Sequence, residues 1–176
     1  MKKFILLFAL LIFGWGVSQQ VPKVLKTKFS KEALAQKVTD INGKTISISK
    51  ILEQNKGKIV VLDLWASWCR DCLKAMPKAK ELEDKNPNVK FIFLSLDRNE
   101  EAWKKGLEKH DMTQKENYWF HVGWKNDFNN YIDLNWIPRY LIVNQKSGIA
   151  KYYAISPDDP EIQKTIDELN KKSQSL

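Results

Sequence analysis

The sequence predicts an α/β fold: a central mixed sheet flanked by helices, with an extra β-hairpin ahead of it. Three observations carry this. Ile59–Trp65 is apolar at every position except Asp63, as in a central strand covered on both faces. An amphipathic run over 69–85 and a second apolar run, Val89–Leu96, complete a β-α-β unit. The last third then reads as two strands and a helix. A chain of 176 residues suffices for one domain with its own hydrophobic core.

Taken in order, Lys2 and Lys3 precede an unbroken apolar run, Phe4–Phe13, and small residues Gly16 and Ser18 follow. This is the pattern of a signal peptide over residues 1–18, cleaved before Gln19. The apolar stretch to Val17 is 14 residues, short of the ~20 of a spanning helix. An uncleaved N-terminal membrane anchor is the alternative. The expected location is therefore outside the cytoplasm, in the periplasm. Residues 19–35 hold Pro22, several lysines and no clean period, and read as a linker. The domain proper is placed at 36–172, with a tail at 173–176.

Asn42-Gly43 between Val38/Ile41 and Ile46/Ile48 predicts a hairpin closed by a type I′ turn, because both residues tolerate positive φ. A short helix opens at Ile51-Leu52 and ends near Gly57. In the 69–85 helix, Cys72, Met76 and Ala79 share a face, and Pro77 is expected to interrupt it. Asn99, followed by Glu100 and Glu101, caps another helix. A strand at Tyr118–Val122, a helix near 127–134, a hairpin of Tyr140–Val143 with Ile149–Ile155, and a helix after Pro160 complete the order.

The formal charge of +8 is spread among alternating lysines and acids. That reads as a solvated surface and argues against nucleic acid as a partner. The two cysteines are Cys69 and Cys72. A structural bridge gains most by closing a long loop, and this pair closes almost none. Such spacing suits switching better than stapling. Cys69 falls between the central strand and the following helix, at the carboxyl edge of the sheet, where α/β folds place their sites. Free amides and the helix dipole there favour an anion, and the thiolate is the reactive form of cysteine. Cys69 is thus the candidate nucleophile, and Cys72, one turn on, the resolving thiol. Asp63 in an apolar strand should have a raised pKa. It is either a proton acceptor or an acid neutralised by Lys58 or Lys90.

The stretch Val60–Cys72, with Trp65-Ala66-Ser67-Trp68-Cys69-Arg70-Asp71-Cys72 at its end, resembles the active-site strand and loop of the thioredoxin superfamily. The Asn42-Gly43 hairpin and Trp136-Ile137-Pro138-Arg139-Tyr140-Leu141-Ile142-Val143 are similar to the exported TlpA/ResA-like branch. The likeness spans about 36–172 and implies a thioredoxin-like fold. It implies a thiol–disulfide oxidoreductase exchanging a dithiol with protein substrates through a mixed disulfide, as reductant in preference to oxidant, with cytochrome maturation among the roles known in that branch. It also implies a cis bond before Pro138, main-chain contacts from Ile137 to substrate, and Asp63 as proton acceptor for Cys72. Trp68, Arg70 and Asp71 join Ile137 and Pro138 as expected substrate contacts; Trp136 and Tyr140 are expected around the site. No cofactor is expected. The expected partners are protein thiols or disulfides and a membrane-bound electron donor, with the chain acting as a monomer. Arg70-Asp71 departs from the Gly-Pro or Pro-Pro common in the family. The rival readings are a zinc or copper site using the cysteines with His110 and His121, whose spacing fits only in part, and a redox-inert binding module.

Overall fold

The computed structural model describes residues 21–174; the expected signal peptide lies outside them. Seven strands form one sheet in the order β2-β1-β5-β4-β3-β6-β7. At its centre are β3 (Val60–Trp65), buried throughout, and β4 (Lys90–Ser95), paired in parallel with Val60 opposite Lys90 and Trp65 opposite Ser95. Strand β5 (Asn117–Trp119) continues the parallel set on one side. On the other, β6 (Arg139–Val143) runs antiparallel to β3, and β7 (Ile149–Ala154) antiparallel to β6. The N-terminal hairpin, β1 (Lys37–Asp40) and β2 (Thr45–Ser47), attaches through β1 to β5.

The helices begin where short polar side chains can take up free amides. Ser30 caps α1 (Lys31–Ala35), Ser47 caps α2 (Ile48–Gln54), Asn99 caps α4 (Glu100–Lys109) and Asn126 caps α5 (Asp127–Tyr131). The helix between β3 and β4, α3 (Arg70–Lys85), is capped by Cys69 itself. The last helix, α6 (Pro160–Gln174), buries Ile162 and Ile166. Among the described residues no helix is long and apolar enough to cross a membrane.

Several expectations are corrected. Residues 26–35, read as linker, are packed: Phe29 stacks on Phe128 at 5.7 Å, and Lys26 Nζ donates to the Tyr131 carbonyl and to Asp133 Oδ2 at 2.7 Å. The first hairpin turn is not type I′. Asp40 Oδ1 accepts from the amides of Asn42 and Lys44, Gly43 N donates to Asp40 O, and only Gly43 has positive φ. This is a three-residue loop closed by a left-handed glycine. Helix α3 continues through Pro77, which lies on its exposed face. Strand β5 stops at Trp119 because Gly123 N folds back to Phe120 O, so His121 and Val122 lie in an exposed turn. Helix α5 stops at Tyr131, and α6 runs past the expected domain end at 172.

Candidate active site

Cys69 and Cys72 form a disulfide at the junction of β3 and α3. The loop before them doubles back through the Cys69 N–H donating to Ala66 O. Cys69 Sγ occupies the N-cap position and accepts a hydrogen bond from Cys72 N at 3.1 Å. A backbone amide aimed at this sulfur stabilises negative charge on it. Across the site, the carbonyl of Ile137 lies 3.6 Å from Cys69 Sγ. The Ile137–Pro138 bond is cis. Both cysteines and Ile137 are largely buried, whereas Trp68 is 54% exposed and Arg70 and Asp71 face solvent.

Two anchors hold the segments that meet here, and sequence reasoning missed both. Asp97 is fully buried just after β4. Its carboxylate accepts from Ser67 N at 3.1 and 3.2 Å, from Ser67 Oγ at 2.6 Å and from Ser95 Oγ at 2.8 Å. It thereby fixes the loop carrying Trp68 and Cys69. Gly106 of α4 packs against the same loop: a Cβ there would lie 2.4 Å from Ser67 Cβ. On the proline side the anchor is Arg139, 0% exposed. It donates from Nη1 to Ile132 O at 3.2 Å and from Nη2 to Asn135 Oδ1 at 2.7 Å, and its guanidinium lies 4.1 Å from the Tyr153 ring centroid. Both acceptors belong to the segment leading to Trp136-Ile137-Pro138, so Arg139 holds the partner side of the disulfide in place. Burial lowers the pKa of Arg139, opposed by the nearby tyrosines and Asp133.

Beneath the disulfide, Asp63 is 5% exposed, and burial pushes its pKa up to about 7 against a hydrogen bond with Tyr140 that lowers it. Lys90 pairs instead with Glu116 at 2.7 Å, and among the described residues no ion pair reaches Asp63. Asp63 and Cys72 both open on a cavity of about 600 Å³, shared with Trp65, Met76, Phe93 and Tyr140. Tyr140, expected around the site as a substrate contact or as a core or rim aromatic, is a buried core residue lining this cavity. Trp136 lines a smaller hollow of about 290 Å³ beside Pro138, with Asp71, Lys74, Lys78 and Ser156.

The rival metal arrangement does not assemble. His110 caps the end of α4, His121 sits in the turn after β5 against Trp119, and among the described residues no three His, Cys, Asp or Glu side chains converge.

The comparisons with known proteins agree with this geometry. A family profile described as "Thioredoxin-like" matches residues 57–149. The thiol-disulfide oxidoreductase ResA of Bacillus cereus is 37% identical over 89 residues, 49% of each chain. That of Bacillus thuringiensis subsp. konkukian is 35% identical over 122 residues, 64% of this chain and 68% of the relative. The chain thus spans about half to two thirds of these relatives' length. A solution structure of a candidate thiol-disulfide oxidoreductase from Bacteroides vulgatus superposes with a TM-score of 0.65 at 31% identity, covering 80% of this chain and 90% of that one.

Proposed function

The chain belongs to the thioredoxin-like family, and from that premise we propose that it is an exported thiol–disulfide oxidoreductase that reduces disulfides in protein substrates. The observation that carries the proposal is the placement of Cys69 Sγ at the N-cap of α3, bonded by Cys72 N and facing the Ile137 carbonyl.

In the reduced protein the Cys69 thiolate attacks one sulfur of a substrate disulfide. That S–S bond breaks, one substrate thiolate leaves, and a mixed disulfide forms on Cys69. Cys72 gives its proton to Asp63, and its thiolate attacks Cys69 Sγ. The second substrate thiolate leaves and takes up a proton. The substrate gains two electrons, and Cys69–Cys72 returns to the disulfide. A dithiol donor, expected to be membrane-bound, supplies the next two electrons.

The extended substrate segment lies along Ile137 and Pro138, with Trp68, Arg70 and Asp71 at the rim. Support for Trp68 is its exposure beside a buried motif; support for Arg70 and Asp71 is their position on the first turn of α3, facing solvent. Both cysteines, Asp63 and Pro138 come from one chain, which supports action as a monomer. Export rests on the sequence pattern of residues 1–18.

The test is reduction of insulin by pre-reduced protein, with Cys69→Ser and Cys72→Ser variants and the reduction potential of the pair. Cys69→Ser abolishes turnover, and Cys72→Ser accumulates a mixed disulfide. Turnover surviving in Cys69→Ser would remove the proposal; a potential above that of the compartment's thiol pool would remove the reductant role alone.

A further inference from the structure

Helix α5 ends in a Schellman turn: Leu134 N donates to Asn129 O at 2.9 Å, and Asp133 N to Asn130 O at 3.2 Å. The left-handed residue of that turn is Asp133, with φ of 51°. Glycine takes such a place at least conformational cost. The aspartate brings a side chain instead, and that side chain is held. Its Oδ2 accepts from Lys26 Nζ at 2.7 Å and from the Tyr152 hydroxyl at 2.6 Å. Lys26 Nζ also donates to Tyr131 O at 2.6 Å and to Tyr152 Oη at 3.0 Å, and lies 4.8 and 5.3 Å from the centroids of those two rings. Lys26 thus joins the N-terminal strap, the end of α5 and β7.

The rest of the strap is seated too. Thr27 O accepts from Ile149 N at 2.8 Å, Lys28 O accepts from the Tyr131 hydroxyl, and Phe29 stacks on Phe128. What the strap holds is the segment that faces the cysteines. Ile132 and Asn135, on either side of Asp133, are the residues that Arg139 bonds, and the carbonyl of Ile137 further on lies 3.6 Å from Cys69 Sγ. Arg139 grips this segment from the core, and Lys26 grips it from outside. An extended chain that pairs with Ile137 gains affinity when the segment is already ordered.

We propose that Lys26 is a positioning residue for the reduction of protein substrates: through Asp133 and Tyr131 it fixes the turn after α5, and so keeps the Ile132–Pro138 segment ready to receive an extended chain. This rests on the reading of Ile137 and Pro138 as the substrate segment. The strap takes no part in the chemistry, because Cys69 is set by the α3 terminus and by the hold of Asp97 on Ser67. A disulfide too small to lie along Ile137 and Pro138 should be indifferent to Lys26, and a protein disulfide should not.

The experiment compares the pre-reduced protein with Lys26→Met, Asp133→Gly and the two combined. Methionine keeps the length of lysine without its charge. Glycine suits the left-handed turn and removes only the side chain that Lys26 holds. Single-turnover reduction of excess insulin gives a half-saturating concentration and a limiting rate. The reaction with 5,5′-dithiobis(2-nitrobenzoate) gives the intrinsic rate of Cys69. Hydrogen exchange at the Leu134 amide in Lys26→Met reads the turn. The side chains of Lys26 and Asp133 are 27% and 47% exposed, so water screens the pair and the effect is modest. The half-saturating insulin concentration should rise about three- to fivefold in each single variant, and no further in the double one. Exchange at Leu134 should quicken, and the limiting rate and the rate with the small disulfide should be unchanged.

Insulin half-saturation and Leu134 exchange that both match the parent protein overturn the inference. So does an equal loss with insulin and with the small disulfide, the outcome of general loosening. A raised half-saturation with unchanged exchange overturns it as well, because Lys26 would then act on the substrate directly. If exchange quickens while half-saturation stays put, the reading of Ile137 and Pro138 as the substrate segment fails, and the inference with it. Turnover that persists in Cys69→Ser removes the oxidoreductase reading itself, whatever Lys26 does.

Discussion

Replacing Asp63 with asparagine should stabilise the oxidised protein, and the gain should depend on pH. Asp63 is buried between apolar neighbours on β3, and burial lifts its pKa from 3.8 to about 7. The folded protein therefore holds this proton more tightly than the unfolded chain does. Stability is greatest below about pH 4, falls as pH rises toward 7, and levels off above it. A shift of about three units at ~1.4 kcal/mol each corresponds to about 4 kcal/mol across that window. About 3 kcal/mol of it lies between pH 5 and 8.5. Asparagine does not titrate, so the advantage of Asp63→Asn over the parent should grow by about that amount from pH 5 to 8.5. Urea denaturation of both disulfide forms, read at the two pH values, measures it. A difference in stability that stays constant across this range would show that Asp63 is not a strained carboxylate, and would remove the basis for its acid–base role.

The anchors and rim give three further expectations. Arg139→Met deletes one buried and one part-buried hydrogen bond and leaves the Ile132 carbonyl without this donor; unfolding free energy should fall by about 2 kcal/mol, and a variant as stable as the parent in denaturant titration would show that the guanidinium holds nothing. Gly106→Ala drives a methyl group into Ser67, which should cost about 1–3 kcal/mol and slow the first thiol reaction, since Ser67 is two residues from Cys69; a normal melting point and rate would refute this. Arg70→Gln should lower the reduction potential and Asp71→Asn raise it, each by no more than about 20 mV, because an exposed charge pair contributes ~1 kcal/mol or less and ~30 mV corresponds to 1.4 kcal/mol; shifts above about 60 mV in equilibration with a glutathione buffer would contradict that.

What the sequence made legible follows from the range of the forces involved. Strand β3 could be read because an apolar run covered on both faces is a local pattern, and the cysteine spacing fixed the motif at the head of α3 for the same reason. The anchors could not be read. Asp97 meets Ser67 across 30 residues, and nothing near Asp97 distinguishes it from a surface acid. Arg139 looks like a solvated charge until Ile132, Asn135 and Tyr153 close around it. Helix α1 escaped notice because five residues show no period; Ser30 and docking near α2 and α5 make it. The Asn42-Gly43 dipeptide alone does not reveal the turn, because Asp40 captures the amides of Asn42 and Lys44, a competition between side chain and backbone.

These anchors also explain how an unusual Arg70-Asp71 pair can sit inside the motif. The position of Cys69 is set from behind by Asp97 holding Ser67, and from across the site by Arg139 holding the segment that ends in Ile137 and Pro138. Neither hold passes through residues 70 and 71, whose side chains face solvent. A charge in water acts weakly on a neighbouring sulfur, whereas a buried amide 3.1 Å away acts with little screening. On the proposed mechanism the Cys69 thiolate is governed mainly by the backbone of the α3 terminus, and the resolving proton by Asp63 beneath it. On the same proposal the exposed pair can serve recognition beside Trp68 and the hollow next to Pro138 without disturbing the geometry of exchange.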